Sequence, residues 1–187
     1  IILPLLIILL PLLAVIALLI KLDSPGPAFY ISKRMKENGE QFGMIKFRTM
    51  RVNADQQLQQ IMQKDKDGNL VHKRPDDPRV TKIGKFLRKT SLDELPQLFN
   101  ILNGDMSLIG PRPELPELVN LYEPWQRKRF TVPQGVTGWW QVNGRSDKPM
   151  HLNTQDDLYY IQHYSIWLDL QILLKTILVV IRGKGAF

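Results

Sequence analysis

The chain has no cysteine among its 187 residues, so disulfides and thiolate–metal sites are excluded. Histidine is nearly as scarce, and His72, His151 and His163 share no spacing that would build a metal site or an acid–base dyad. The sequence also lacks a P-loop, a G-x-G-x-x-G after a strand and a nucleophile-elbow serine.

Acidic residues are outnumbered by basic ones, which gives a net charge of +7 and a pI of about 9.7. An excess of this size indicates an anionic partner, and nucleic acid, anionic lipid head groups and nucleotide diphosphates all qualify. The hydrophobic content of 44% is ample for a core. The length predicts one domain, or one domain with an appendage.

Residues 1–20 have no charged or hydrogen-bonding side chain, and the helix breakers among them are Pro4 and Pro11. The chain begins at Ile1, so we expect further sequence before it in the whole protein. The opening lacks the charged first region and the small-residue cleavage site of a secretory signal. We therefore interpret this segment as a membrane element that the protein retains.

Two interpretations of the apolar segment stay open. Twenty helical residues reach about 30 Å, which is enough for an ordinary transmembrane helix. Pro11 instead predicts a break in the middle, since its ring clashes with the preceding turn, and only about 13 Å of apolar helix follows it. A re-entrant helical hairpin over residues 1–22 fits this pattern, with an interfacial domain over 23–187. Lys21 and the later Lys33 place the exit side in the cytoplasm.

The remaining chain predicts an α+β fold that is mainly helical, with interfacial amphipathic helices and a small β-hairpin region. Strands are predicted at residues 28–32 and 43–50, joined by a turn at 37–40. Helices are predicted at residues 51–64, 80–89, 92–102, 113–129, 156–164 and 167–182, and a loop or strand at 135–145. The helix at 113–129 is expected to be interrupted near Pro116 and Pro124.

Two adjacent carboxylates, Asp93 and Glu94, stand at the predicted start of the helix at 92–102. One carboxylate can attack phosphorus while the other holds a divalent cation. Arg88 precedes the pair and Arg112 follows it, and such cations stabilise the charge that develops in phosphoryl transfer. The pattern therefore predicts a phosphoryl-transfer site.

The same residues have a plainer interpretation. Ser91 and Glu94 form an S-x-x-E capping box, in which Glu94 only caps a helix and Asp93 only favours its positive end. Under the functional interpretation, free N–H groups at that helix start attract phosphate. The helix dipole would then lower the pKa of Asp93 and keep it ionised as a nucleophile.

Further cations and carboxylates are weaker candidates. Lys46 and Arg48 share one face of a predicted strand and can bind phosphate, or they form a solvated face. The prolines around Arg112 make a stiff loop that suits bidentate phosphate recognition. Asp65 and Asp67 form a D-x-D that holds a metal and a nucleotide diphosphate in some glycosyltransferases, although a charged turn is the commoner use.

Together these residues resemble the bacterial sugar transferase family, the monotopic phosphoglycosyl transferases, nearly from end to end. The closing residues 167–170 (WLDL) and 183–187 (GKGAF) resemble members that transfer galactose-1-phosphate to undecaprenyl phosphate. The matching segments are residues 1–20, 21–27 (KLDSPGP), 46–50 (KFRTM), 77–81 (DPRVT), 88–97 (RKTSLDELPQ), 104–113 (GDMSLIGPRP) and 135–145 (GVTGWWQVNGR).

The resemblance implies a two-step reaction. Asp93 would attack the β-phosphate of a UDP-sugar, expel UMP and form a phosphosugar ester, which undecaprenyl phosphate would then attack. Glu94 would bind Mg²⁺, Arg88 and Arg112 would hold phosphate oxygens, and Arg145 would contribute to the nucleotide pocket. Galactose is the first choice of sugar, then glucose, then an N-acetylated hexosamine.

The resemblance also implies where the protein works. It would sit in the bacterial inner membrane with its site on the cytoplasmic face, and it would initiate a surface polysaccharide such as O-antigen, capsule or exopolysaccharide. Its partners would be the UDP-sugar, undecaprenyl phosphate and the bilayer, with no nucleic acid, and a homo-oligomer is compatible with the pattern. One residue departs from the family, since Leu10 stands before Pro11 where a serine is common.

Two rival functions remain open. A metal-dependent glycosyltransferase that uses Asp65 and Asp67 would release UDP, whereas phosphosugar transfer releases UMP. A non-enzymatic basic module that binds anionic membrane or nucleic acid would show salt-sensitive binding and no nucleotide product.

Overall fold

The computed structural model describes residues 2–54, 63–64, 70–71, 77–144 and 150–183. It is a mixed α/β structure in which helices predominate and the sheets are two-stranded. The helices are α1 (Ile2–Asp23), α2 (Lys82–Thr90), α3 (Gln97–Leu102), α4 (Pro116–Val119), α5 (Trp139–Val142), α6 (Gln155–Gln162) and α7 (Ile166–Arg182). The strands are β1 (Phe29–Met35), β2 (Gln41–Phe47), β3 (Gln63–Lys64), β4 (Leu70–Val71), β5 (Ser107–Ile109) and β6 (Gly135–Thr137).

The apolar N-terminal segment is one helix, α1, and it contains Pro11. The two helical arms predicted on either side of that proline are therefore a single element, although Pro11 removes one backbone hydrogen bond from it. The helix is long and apolar enough to cross a membrane, and most of its surface is exposed. Its buried residues, among them Leu13 and Ile20, pack against Phe47 and Leu87 of the domain.

The predicted hairpin is confirmed. β1 and β2 pair antiparallel, with Phe29 opposite Phe47 and Met35 opposite Gln41. The turn between them contains Asn38 and Gly39, both at positive φ, and these are the residue types that tolerate such a backbone. The hairpin therefore has a defined register, which decides the strand residues that share a face.

The helix α2 lies beside the hairpin and α1. Its first turn is capped by Thr81, whose hydroxyl accepts from the N–H of Gly84, and by Asp23, whose carboxylate accepts from the N–H of Ile83. A Cβ at Gly84 would overlap the carbonyl of Thr49, so glycine permits the close approach of α2 to the end of the hairpin. This contact joins the end of α1, the hairpin and the segment that precedes the acidic pair.

The C-terminal half of the described chain is organised around a buried ion pair. Arg129 is fully buried in a 3₁₀ turn (Gln126–Phe130), and its guanidinium lies 2.7 Å from the carboxylate of Asp157 in α6. Arg129 also donates to the hydroxyl of Tyr122 and to the carbonyl of Arg112. Strand β5 precedes the 3₁₀ turn in the chain and strand β6 follows it, and the two strands pair in parallel with Ile109 opposite Thr137.

Several predicted elements are shorter than expected or differ in type. The helix predicted at 51–64 falls mostly outside the described residues, and the described parts are a turn at 52–54 and strand β3. The helix predicted at 92–102 is a 3₁₀ turn (Leu92–Glu94) followed by α3, because Pro96 separates them. The interruption predicted in the helix at 113–129 is confirmed, since the segment forms α4 and a 3₁₀ turn (Gln126–Phe130). The helices predicted at 156–164 and 167–182 are confirmed as α6 and α7.

The buried ion pair between Arg129 and Asp157 should contribute to the stability of the fold. Asp157→Ala leaves a buried guanidinium uncompensated, which costs about 3–5 kcal/mol. For a chain of this size that corresponds to a fall in Tm of roughly 6–20 °C. The double variant Arg129→Met, Asp157→Leu should recover much of the loss, because it removes both charges. Thermal unfolding in detergent measures the three proteins, and a double variant no more stable than the single one contradicts the prediction.

Candidate active site

The acidic pair lies in a tight turn between two helices. Ser91 ends α2 in the left-handed conformation, at φ 57°, and the 3₁₀ turn with Asp93 and Glu94 follows at once. The Ser91 side chain makes no capping hydrogen bond to that turn, and the Glu94 carboxylate points to cations instead. The capping-box interpretation is therefore wrong.

Glu94 is held between two cations. Its Oε1 lies 3.1 Å from Nζ of Lys46, and its two oxygens accept from the two terminal nitrogens of Arg112. Burial opposes ionisation of Glu94, but the charges of Arg112 and Lys46 outweigh it and hold its pKa well below the usual value. In turn, Glu94 raises the pKa of Arg112, against the effect of burial. Glu94 is thus a fixed anion with little freedom to move.

Asp93 has a different environment although it is the next residue. Within the described part of the chain, no hydrogen bond or ion pair to its carboxylate is found. Burial and the charge of Glu94 raise its pKa, while Lys46, Arg88 and Arg112 oppose that rise. The predicted lowering of this pKa by a helix dipole is wrong, because the turn is too short to supply one and burial dominates.

Arg88 approaches Asp93 from α2. Its Nε donates to the hydroxyl of Thr49 at 2.9 Å, so the guanidinium is oriented by the residue just after the hairpin. Burial lowers the pKa of Arg88, and the charges of Asp93 and Asp77 act in the opposite direction. Arg88 therefore lies near the acidic pair, and its predicted role toward phosphate oxygens stays a prediction.

Lys46 is positioned by a residue that the sequence did not single out. Asn100 in α3 accepts from the N–H of Ile45 at 2.9 Å and donates to the carbonyl of Gly43 at 2.8 Å. The amide side chain thus pairs with the open edge of β2 as a neighbouring strand would. Because Glu94 lies just before α3, this contact fixes the distance between the acidic turn and Lys46.

Arg112 is presented by a rigid loop, as its flanking prolines predicted. The carbonyl of Pro111 accepts from the N–H of Gly135 at 2.8 Å, and the carbonyl of Arg112 accepts from the buried Arg129 at 2.7 Å. The guanidinium is therefore directed at Glu94 by backbone contacts on both sides of the loop.

Arg34 is a further cation at this site that sequence reasoning missed. It is mostly buried, it donates to Ser32, and it lies 3.7 Å from Glu114. Burial lowers the pKa of Arg34, as does the charge of Arg112, while the charges of Glu114 and Glu94 act in the opposite direction. The hairpin register was the signal that could have found it, since Tyr30 faces Lys46 and Arg34 lies on the same face.

Other predicted site residues lie elsewhere. The buried Arg48 donates to the carbonyls of Ser24 and Pro25, so its guanidinium holds the end of α1 and does not join the acidic pair. Arg145 lies outside the described residues, as do Asp65 and Asp67. Pro11 lies inside α1.

The donor set of the acidic pair fits Mg²⁺. This ion needs hard oxygen ligands and usually takes one or two carboxylates, with water and substrate phosphates completing its shell. Glu94 already accepts three hydrogen bonds, which leaves about one of its four lone-pair directions, and Asp93 adds a carboxylate. No cluster of three acidic or histidine side chains occurs in the described ranges, so the ion would depend on the substrate's oxygens.

The chain is similar to proteins that act on sugars. It is 44% identical over 166 residues to a galactosyl transferase, CpsE, of Streptococcus agalactiae, which covers 86% of this chain and 36% of that one. It is 40% identical over 166 residues to an undecaprenyl-phosphate galactose phosphotransferase of Salmonella typhimurium, with coverage of 87% and 35%.

A third relative is the UDP-glucose:undecaprenyl-phosphate glucose-1-phosphate transferase of Xanthomonas campestris pv. campestris. It is 42% identical over 185 residues, which cover 95% of this chain and 36% of that protein. The chain thus spans about a third of the length of each of these three relatives. A family model described as bacterial sugar transferase matches residues 1–183. The chain therefore belongs to the bacterial sugar transferase family.

Proposed function

We propose that this protein is a phosphoglycosyl transferase that moves a hexose-1-phosphate from a UDP-sugar to undecaprenyl phosphate and releases UMP. The observation that carries the proposal is the difference between the two adjacent carboxylates. Glu94 is ion-paired to Lys46 and Arg112, whereas Asp93 has no such partner in the described structure and lies within the field of the same cations. An unpaired carboxylate among cations suits a nucleophile that attacks a phosphate.

In the first step, a carboxylate oxygen of Asp93 attacks the β-phosphorus of the donor. The bond from that phosphorus to the bridging oxygen breaks, UMP leaves, and the phosphosugar is esterified to Asp93. In the second step, a phosphate oxygen of the lipid attacks the same phosphorus and the ester bond to Asp93 breaks. The products are undecaprenyl-diphospho-sugar and the free carboxylate.

The cations around the pair serve the phosphate oxygens. Lys46, Arg88 and Arg112 come from three different elements, so positive charge meets the diphosphate from several directions. Arg34 extends this set on the hairpin side. Mg²⁺ bound at Glu94 would neutralise charge on the diphosphate and on the departing UMP.

The membrane position that we propose is monotopic, with α1 entering the bilayer from the cytoplasmic face without crossing it. Support comes from the contacts between α1 and the domain. Residues from Leu9 to Ile20 pack against or beside Phe47 and Leu87, a length of about 16 Å of helix. If α1 spanned the bilayer, the polar domain packed along it would have to lie within half of the hydrocarbon core, which is unfavourable. We therefore place α1 and the domain together at the interface, where the lipid acceptor and the cytosolic donor meet.

Galactose is the sugar that we propose, within a pathway that initiates a surface polysaccharide. Two of the relatives are named for galactose and one for glucose. The rival glycosyltransferase would need the D-x-D at Asp65 and Asp67 and would release UDP.

Removal of the nucleophile makes the most direct mutational prediction. Asp93→Asn nearly preserves shape but cannot form the ester, so UMP release from UDP-galactose should fall by about 10³-fold or more. Glu123→Gln, at an exposed site far from the acidic pair in sequence, is the matched control and should retain wild-type release. Wild-type rates in Asp93→Asn, or UDP in place of UMP, would refute the proposal.

The pH dependence follows from the raised pKa of Asp93. The attacking form is ionised, so kcat/KM should fall on acidification at a pH above that expected for an ordinary aspartate. Arg88 acts to lower this pKa. Arg88→Gln should therefore move the acidic limb to higher pH, whatever its effect on the maximum rate.

A pH–rate profile of UMP release tests this shift. Arg127→Gln, at an exposed position, should leave the limb in place. A limb that stays fixed or moves to lower pH in Arg88→Gln would contradict the role given to Arg88.

Lys46 and Arg48 are two residues apart, but substitution of Lys46 should impair catalysis and substitution of Arg48 should impair stability. Lys46→Met should lower kcat/KM by about 10²-fold, since a charge-stabilising group at the site is lost. Arg48→Met should instead lower Tm, because the buried carbonyl of Ser24 loses its donor at about 1–3 kcal/mol and the partly buried carbonyl of Pro25 loses its donor as well, with kcat/KM of the folded protein preserved. Steady-state kinetics and thermal unfolding of both variants test this, and a catalytic defect confined to Arg48→Met reverses the assignment.

A further inference from the structure

A groove of about 240 Å³ lies beside the acidic pair, and apart from Glu94 and Arg112 its lining has no role in the first step proposed above. Leu5 and Leu9 of α1 and Val179 and Val180 of α7 contribute to its walls, while Glu94 and Arg112 are its only charged residues among those described. These two residues form an ion pair, so the charged side chains of the lining lie next to each other. The groove therefore joins a charged site to an apolar lining.

The hydroxyl groups in the wall are satisfied within the protein. Thr176 donates to the carbonyl of Ile172 at 2.7 Å, so the proton in the 2.7 Å contact between Thr137 and Thr176 comes from Thr137. Gln141 donates to the carbonyl of Val136 at 3.1 Å, and its buried Oε1 has no partner in the described chain. Apart from that one acceptor, the lining away from Glu94 and Arg112 offers hydrocarbon rather than hydrogen bonds.

We propose that this groove binds the first isoprene units of the polyprenyl phosphate acceptor, with the phosphate at Arg112 next to Asp93. The proposal rests on the proposed function, because it assigns the lipid of the second step. A phosphomonoester needs a cation and a polyprenyl chain needs an apolar wall, and this groove supplies both side by side.

Two features of the groove favour a lipid. The helices α1 and α7, which contribute to its walls, carry exposed apolar residues such as Ile8 and Leu174, so a chain can leave the groove for the bilayer without crossing a polar surface. The volume lies below the roughly 300–1,000 Å³ of pockets that enclose a whole small ligand. The groove therefore holds only the beginning of a long chain.

The two half-reactions separate this site from the chemistry at Asp93. Release of UMP with donor alone requires only the chemistry at Asp93. Turnover with lipid requires that chemistry and the lipid site. Val180→Phe fills the groove, so it should leave the donor-only burst of UMP unchanged and raise KM for undecaprenyl phosphate by about tenfold or more. Ile181→Phe is the matched control, since this neighbour in α7 is 76% exposed and does not line the groove.

The outcomes that would overturn the groove assignment differ from the one that would refute the proposed function. A wild-type KM for the lipid in Val180→Phe overturns the proposal. Loss of the donor-only burst in that variant, with the Ile181→Phe burst intact, also overturns it, since the groove would then hold the hexose of the donor near Gln141. Absence of the burst in the wild-type protein refutes the proposed function itself, and the groove assignment with it.

A second measurement needs no variant. A polyprenyl phosphate of three isoprene units, with a diazirine in the first unit, is irradiated with the wild-type protein in detergent. Cross-links should form on peptides that contain Leu98, Val136 or Val180, and unlabelled undecaprenyl phosphate should compete for them. Cross-links confined to other peptides overturn the proposal.

Discussion

The attraction between Glu94 and the pair of cations that hold it is the interaction on which the site depends. Lys46 comes from the hairpin and Arg112 from the loop after β5, so one carboxylate ties two separate parts of the fold to the turn after α2. With Glu94 fixed as an anion, burial and its neighbouring charge raise the pKa of Asp93. The two carboxylates thus have different environments, although they are adjacent in the chain and similar in chemistry.

Much of the fold acts as support for this arrangement. Asn100 bonds to the edge of β2 and sets the position of Lys46. Buried Arg129, which is ion-paired with Asp157, donates a hydrogen bond to the carbonyl of Arg112. These contacts keep positive charge in place before any substrate arrives, which would lower the cost of reorganisation in the proposed phosphoryl transfer. The groove toward α1 and α7 opens from the same pair, Glu94 and Arg112, so donor chemistry and the proposed lipid site share one boundary.

Local patterns predicted the hairpin, the amphipathic α2 and α7 and three of the site cations, because these depend on periodicity and on motifs within short segments. The prediction failed for Arg48, since strand alternation applies only within a strand and β2 ends at Phe47. It failed for Ser91, whose left-handed backbone ends one helix and so prevents it from capping the next. Arg34 and Asn100 were missed because their roles come from register and from contacts between distant segments, which no local pattern records.

In the proposed reaction the phosphosugar is carried on the side chain of Asp93. Peptide mass spectrometry of enzyme treated with UDP-galactose and quenched before lipid is added tests it most directly. The proposed mechanism predicts one added hexose phosphate on the peptide that contains Asp93, and loss of that adduct when undecaprenyl phosphate is added. Accumulation of lipid-linked product with no such adduct at any time would contradict this mechanism.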